Sequence, residues 1–127
     1  MISVIIPVLN AQQTLAATLG ALVPAVVDGI VREVVVVDAQ STDDTRNIAD
    51  AMGARLLDAP RGRGSQLQVG AAEARHDWLL FLHADTILEP DWHCEVARLI
   101  ESIELGERPP AAAVFRWPRK PTSNVVC

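Results

Sequence analysis

The amino-acid sequence predicts an α/β domain of the doubly wound class, a mostly parallel sheet with helices on both faces. Three observations carry this. Ile2 to Val8 and Glu33 to Asp38 are almost continuously apolar and β-branched, as strands buried on both faces are. Between them the apolar positions switch to a helical spacing. The switch then recurs, so that strands and helices alternate over residues 1 to 105, an order that parallel pairing with crossover helices satisfies.

The elements follow in order. Ile2 to Val8 is the first strand, and Leu15, Leu19, Leu22 and Val23 mark a helix that Pro24 is expected to stop. Glu33 to Asp38 is the second strand. Ser41 and Thr42 offer N-caps to a helix carrying Ile48, Ala49 and Met52, closed by Gly53. Ala54 to Leu57 is a short third strand, and the Pro and Gly punctuation from Asp58 to Gly64 marks a loop. A third helix is expected over Ser65 to Arg75, with Leu67, Ala71 and Ala74 inward, followed by a fourth strand at Trp78 to Leu82. Pro90 is placed in the first turn of a fourth helix whose apolar face is Trp92, Val96, Leu99, Ile100 and Ile103. Residues 106 to 127 change character, with Pro109-Pro110 and Arg116, Arg119 and Lys120 among further prolines, and read as an irregular tail holding at most one strand.

A chain of 127 residues allows one such domain, and with aromatics at 4% and no Tyr its core must be aliphatic. Eleven Lys and Arg against 16 Asp and Glu give a net charge of −5, which argues against a nucleic acid as main partner and requires any bound phosphate to meet a local basic cluster. Cys94 and Cys127 lie far apart without CxxC spacing, so neither a disulfide framework nor a zinc ribbon is expected, and a cytoplasmic setting fits. No apolar stretch approaches the ~20 residues of a membrane span, which leaves only peripheral membrane contact open.

In an open parallel sheet, ligands bind at the carboxyl ends of the strands. Polar residues collect there: Pro7 to Asn10 after the first strand, Asp38 and Ser41 after the second, Arg61 and Arg63 in the third unit, His83-Ala84-Asp85 after the fourth. Strand ends are polar in every α/β protein, and Asp38 with Ser41 could simply cap a helix. Their convergence says more. An Asp after the second strand can accept hydrogen bonds from a ribose or a base edge. Neither GxGxxG nor GxxxxGK[ST] occurs, so phosphate charge would be met by a metal on Asp85 and by the guanidinium forks of Arg61 and Arg63.

Three segments in this order, Ile2-Ser-Val-Ile-Ile-Pro-Val-Leu-Asn10, Val34-Val-Val-Val-Asp38-Ala-Gln-Ser-Thr-Asp43 and Leu80-Phe-Leu-His-Ala-Asp85, resemble the nucleotide-binding half of family 2 glycosyltransferases over about residues 1 to 105. The resemblance implies a Rossmann-like GT-A-type fold, a nucleoside diphosphate sugar, UDP- or GDP-linked, as donor, inverting transfer, and a divalent cation, Mn²⁺ or Mg²⁺. Carried over by position, Pro7, Val8 and Asn10 face the nucleoside, Asp38 with Ser41 after it holds base or ribose, and Arg61 and Arg63 lie near the diphosphate. His83, Ala84 and Asp85 occupy the Asp-x-Asp position, with Asp85 as the metal ligand.

Departures from the pattern are Ala11 where Glu is common, His83 at the first Asp of Asp-x-Asp, and Gln68 where Asn is common. The sequence after Pro109 does not resemble the family's acceptor half, and it contains no Asp or Glu. The chain therefore reads as truncated. No catalytic base is nominated, the carboxylates Glu89, Asp91 and Glu95 being natural company for a helix start. Self-association to a homo-oligomer is the expected cover for apolar surface that the missing half would bury. The rival readings are a non-catalytic nucleotide-binding or assembly module, and a transition-metal site from His83, Asp85, Asp91, His93 and Cys94, whose spacing matches no ordinary zinc site.

Overall fold

A computed structural model of the chain describes residues 1–112. The expectations for Cys127 and for a strand in the tail lie outside the described residues. The first of two compact units, Met1–Leu88, holds four strands and four helices. These are β1 (Ile2–Val8), α1 (Leu15–Gly20), α2 (Val23–Val27), β2 (Val31–Asp38), α3 (Thr45–Ala51), β3 (Arg55–Asp58), α4 (Arg63–Glu73) and β4 (Trp78–Phe81). The second unit begins at Glu89 and contains α5 (Trp92–Glu104).

The sheet is fully parallel with order β3-β2-β1-β4. The longest apolar runs lie at its centre, β1 beside β2, where Val4, Ile5, Ile6, Val35, Val36 and Val37 are wholly buried. That is the doubly wound class read from the runs themselves.

Pro7 stands inside the central strand β1, where a residue without an N–H is unusual. Its place has a reason. The Ile5 carbonyl accepts from Leu82 N–H and the Val8 carbonyl from Ala39 N–H, so odd-numbered backbone groups of β1 face β4 and even-numbered ones face β2. Pairing with β4 runs from Ile2↔Trp78 to Ile5↔Phe81. Pro7 turns a missing donor toward that side two residues on, and the chain after β4 is released from the sheet.

Several boundaries differ from expectation. Pro24 does not stop the first helix; α1 ends at Gly20, and Pro24 lies in the first turn of α2, where its missing N–H costs no helical bond. Ser41 and Thr42 do not cap α3, whose N-cap is Asp44. The Ser41 side chain turns back to Asp38 instead. Helix α4 starts two residues early, at Arg63, and its buried face is Gln66 and Gly70, while Leu67, Ala71 and Ala74 are half-buried. A Cβ on Gly70 would lie 2.4 Å from Ile5 Cγ2 and 3.1 Å from Val37 Cγ2, so the missing side chain is what lets α4 sit this close to β1 and β2. Pro90 precedes Asp91, the N-cap of α5, and lies outside that helix.

Candidate nucleotide-binding site

The predicted binding residues of the first unit do gather at the carboxyl ends of the strands. Asp38 closes β2 with no exposed surface, and its carboxylate is fully engaged: Ser41 N–H donates at 3.1 and 3.3 Å, Ser41 Oγ donates a short bond, and Arg46 Nη1 donates at 2.9 Å. The same Arg46 nitrogen donates to Asp58 at the end of β3, the register partner of Asp38. One guanidinium thus joins two carboxylates that would otherwise repel. Hydrogen bonds to Asp58 and then to Asp38 raise the Arg46 pKa above its ordinary value, so the guanidinium keeps its charge.

Two loops, one after β1 and one after β2, satisfy each other's backbone. Asn10 N–H donates to Ser41 Oγ at 2.8 Å, and Thr42 N–H donates back to Asn10 Oδ1 at 2.9 Å. Gln12 N–H donates to Asp43 Oδ2 at 3.2 Å, while Asp44 N–H donates to Gln12 Oε1 at 3.0 Å. Ala11 N–H reaches Thr45 Oγ1 at 2.8 Å, and that hydroxyl donates to Asp43. Asn10 and Gln40 take left-handed φ values of 50° and 64° at the bends. Such conformations cost energy in isolation, and here cross-bonding from both sides holds them. The result is a preset platform with Asn10 exposed and Ser41 half-exposed; Pro7 is half-buried, Val8 is buried, and its carbonyl is its polar contribution. Asp43 is held below its ordinary carboxylate value of 3.8, mainly by the Thr45 hydroxyl and further by the Thr45 and Gln12 amides.

Released by the end of the ladder, His83-Ala84-Asp85 forms a turn in which Thr86 N–H donates to the His83 carbonyl at 3.1 Å. Thr18 Oγ1, buried on α1, donates to the Ala84 carbonyl at 2.8 Å and fixes the turn from below. The His83 and Asp85 side chains are exposed, and neither has a partner among the described residues. Arg61 and Arg63, on either side of Gly62 at the N-terminus of α4, are likewise exposed without a carboxylate partner among those residues.

Among the described residues, no group of three or more His, Cys, Asp or Glu side chains comes together to hold a metal, which removes the five-residue transition-metal cluster. A hard cation at Asp85 would therefore take most of its oxygens from the ligand's phosphates and from water, as expected for a metal–nucleotide complex and not for a resident structural ion. An unpartnered, exposed carboxylate fits that donor set.

Two residues of this region escaped the sequence reading. Gln66, 4% exposed on α4, donates from Nε2 to the Val8 and Val37 carbonyls, both at 2.9 Å. Arg46 bridges Asp38 and Asp58. Nothing in periodicity flags either, since a buried Gln reads as a helix-surface residue and an Arg in a first helical turn as solvated. The available signal was the polar Gln66 standing four residues before the buried Gly70 on one helical face.

A family model described as glycosyl transferase family 2 matches residues 3–117. Glucosyl-3-phosphoglycerate synthase of Mycolicibacterium paratuberculosis is 35% identical over 95 residues, which cover 68% of this chain and 29% of that protein. A PGL/p-HBAD biosynthesis glycosyltransferase of Mycobacterium bovis is 36% identical over 129 residues, covering 91% of this chain and 45% of that protein. Among solved structures, glucosyl-3-phosphoglycerate synthase of Mycobacterium tuberculosis in complex with Mn²⁺, UDP-glucose and phosphoglyceric acid superposes with a TM-score of 0.66 at 32% identity, covering 84% of this chain and 40% of that one. The same protein with Mg²⁺ and UDP gives a TM-score of 0.65 at 31% identity. The chain spans less than half the length of these relatives.

Proposed function

The chain belongs to glycosyl transferase family 2, and from that premise we propose that it carries the donor site for inverting transfer from a UDP-linked sugar, with a divalent cation, to an acceptor of unassigned identity. The observation that supports this most directly is the exposed, unpartnered Asp85 carboxylate on the Thr18-anchored turn. UDP is favoured over GDP because the similar solved structures hold UDP, with Mn²⁺ or Mg²⁺. No helix among the described residues is long and apolar enough to cross a membrane.

In this reading each part of the site meets one part of the donor. The platform of Asn10 and Ser41 takes the nucleoside, with Asp38 setting the Ser41 hydroxyl. Arg61 and Arg63 face the diphosphate, and Asp85 would hold the cation. A bound divalent ion supplies positive charge to the diphosphate as it leaves. The two guanidinium groups add to that stabilisation, since charge grows on the leaving oxygens as the acceptor oxygen bonds the anomeric carbon from the opposite side. His83 has an exposed imidazole whose ring nitrogens can hydrogen-bond a ribose hydroxyl.

Calorimetric titration with UDP and GDP, in Mn²⁺ and in chelator, tests the reading. UDP should bind more tightly with metal, and Asp85→Ala should abolish the difference. Equal affinity in chelator would remove Asp85 from its role, and absence of UDP binding would sink the donor site as a whole.

A further inference from the structure

Gln66 points to a device for placing the arginines. A glutamine carries a mobile, strongly hydrated amide, and burying it is costly unless its hydrogen bonds are made. Here both Nε2 protons are used, one on the Val8 carbonyl and one on the Val37 carbonyl. Val8 is the last residue of β1 and Val37 the last but one of β2, so the side chain spans the seam between the two central strands where the two cross-bonded loops begin. One turn along α4, Gly70 lies against Ile5 and Val37 at a distance that admits no Cβ. A polar anchor and a close contact, four residues apart on one face, fix both the rotation and the height of the helix on the sheet. Arg63 opens that helix, and Arg61 precedes it by two residues.

We propose that Gln66 is a positioning residue for the diphosphate end of the site: it locks the arginine-bearing start of α4 to the strand ends from which the nucleoside platform springs. The proposal rests on the donor-site reading above for its ligand, but not for its geometry. A methionine would fill the same volume without the amide, and an asparagine keeps the amide but is one methylene short of spanning the seam.

The test uses Gln66→Met and Gln66→Asn, each checked by thermal melting for a folded state, with two readouts. Without ligand, limited trypsin cleavage after Arg61 and Arg63 should quicken about tenfold, because local opening of that turn no longer breaks two buried hydrogen bonds. With Mn²⁺, UDP affinity should fall about tenfold and uridine affinity less than about twofold, and in an Arg61→Ala/Arg63→Ala background the Gln66 change should add nothing further. Unchanged cleavage in the folded variants overturns the proposal. So does an equal loss for UDP and uridine, or a loss that persists in full without the arginines, since either makes Gln66 a general support of the fold. If the wild type binds no UDP while cleavage quickens, the donor-site reading fails and the placement of the turn by Gln66 stands.

Discussion

Arg46 Nη1 lies 2.9 Å from Asp38 Oδ2, joining a side chain that is 40% exposed to one with no exposure at all. The pair couples the first turn of α3 to the end of β2, and Asp58 completes it from β3. The two acidic partners differ in what they stand to lose, Asp58 being 74% exposed.

Arg46→Met should therefore destabilise the protein clearly more than Asp58→Asn, which removes only a surface partner. Asp38→Ala should cost about 1.5–3 kcal/mol, the range for hydrogen bonds to a charged group. Urea denaturation of the three variants checks the ranking, and equal losses for Asp58→Asn and Arg46→Met would contradict it.

Gly70→Ala forces a Cβ to within 2.4 Å of Ile5 Cγ2 in a packed core, and overpacking of this kind costs about 1–3 kcal/mol. Gly64→Ala is the matched control. It lies in the same helix with nothing within 4 Å of the added Cβ, and its better helix propensity should stabilise by up to about 1 kcal/mol. Opposite shifts in melting temperature are expected.

The depressed Asp43 pKa predicts a pH dependence. A carboxyl whose folded pKa lies below its unfolded value of 3.8 contributes stability that is present above pH 3.8 and lost as pH falls through the folded pKa. Asp43→Asn should thus be less stable than wild type near neutrality, with the gap closing below pH 3.8. Denaturation at neutral and strongly acidic pH measures it, and a gap that persisted in acid would assign the effect to packing.

Arg61→Ala and Arg63→Ala should leave stability unchanged, because neither guanidinium holds a described carboxylate. UDP affinity should drop about tenfold while uridine is spared, the signature of contacts confined to phosphate. Titrations with both ligands decide it. Equal losses would move the phosphate elsewhere.

The parallel sheet was legible because doubly buried strands need unbroken apolar runs, and Ile2 to Val8 and Val34 to Val37 are such runs. The positions of Asp38, Arg61, Arg63 and Asp85 followed from strand ends, which the runs locate. Helix boundaries did not follow. By composition Pro24 reads as the stop of one helix, and only tertiary context shows that it lies in the first turn of the next. Ser41 is an equally good cap or carboxylate partner by composition, and the choice is made by Asn10 N–H arriving from another loop. Gln66 and Arg46 were hidden for the same cause, as the carbonyls and carboxylates they bind lie up to 58 residues away in sequence.

Pro7 has a consequence for what this scaffold can tolerate. A parallel ladder behaves as a zipper, each closed rung favouring the next, and valine at position 7 would restore an N–H aimed at the strand beyond. Two more rungs could then close, drawing His83 and Asp85 into a straight strand and undoing the turn that Thr18 fixes at the Ala84 carbonyl. The imino acid is a stop on that zipper, so the residue allowed at position 7 is tied to the chemistry wanted at position 85.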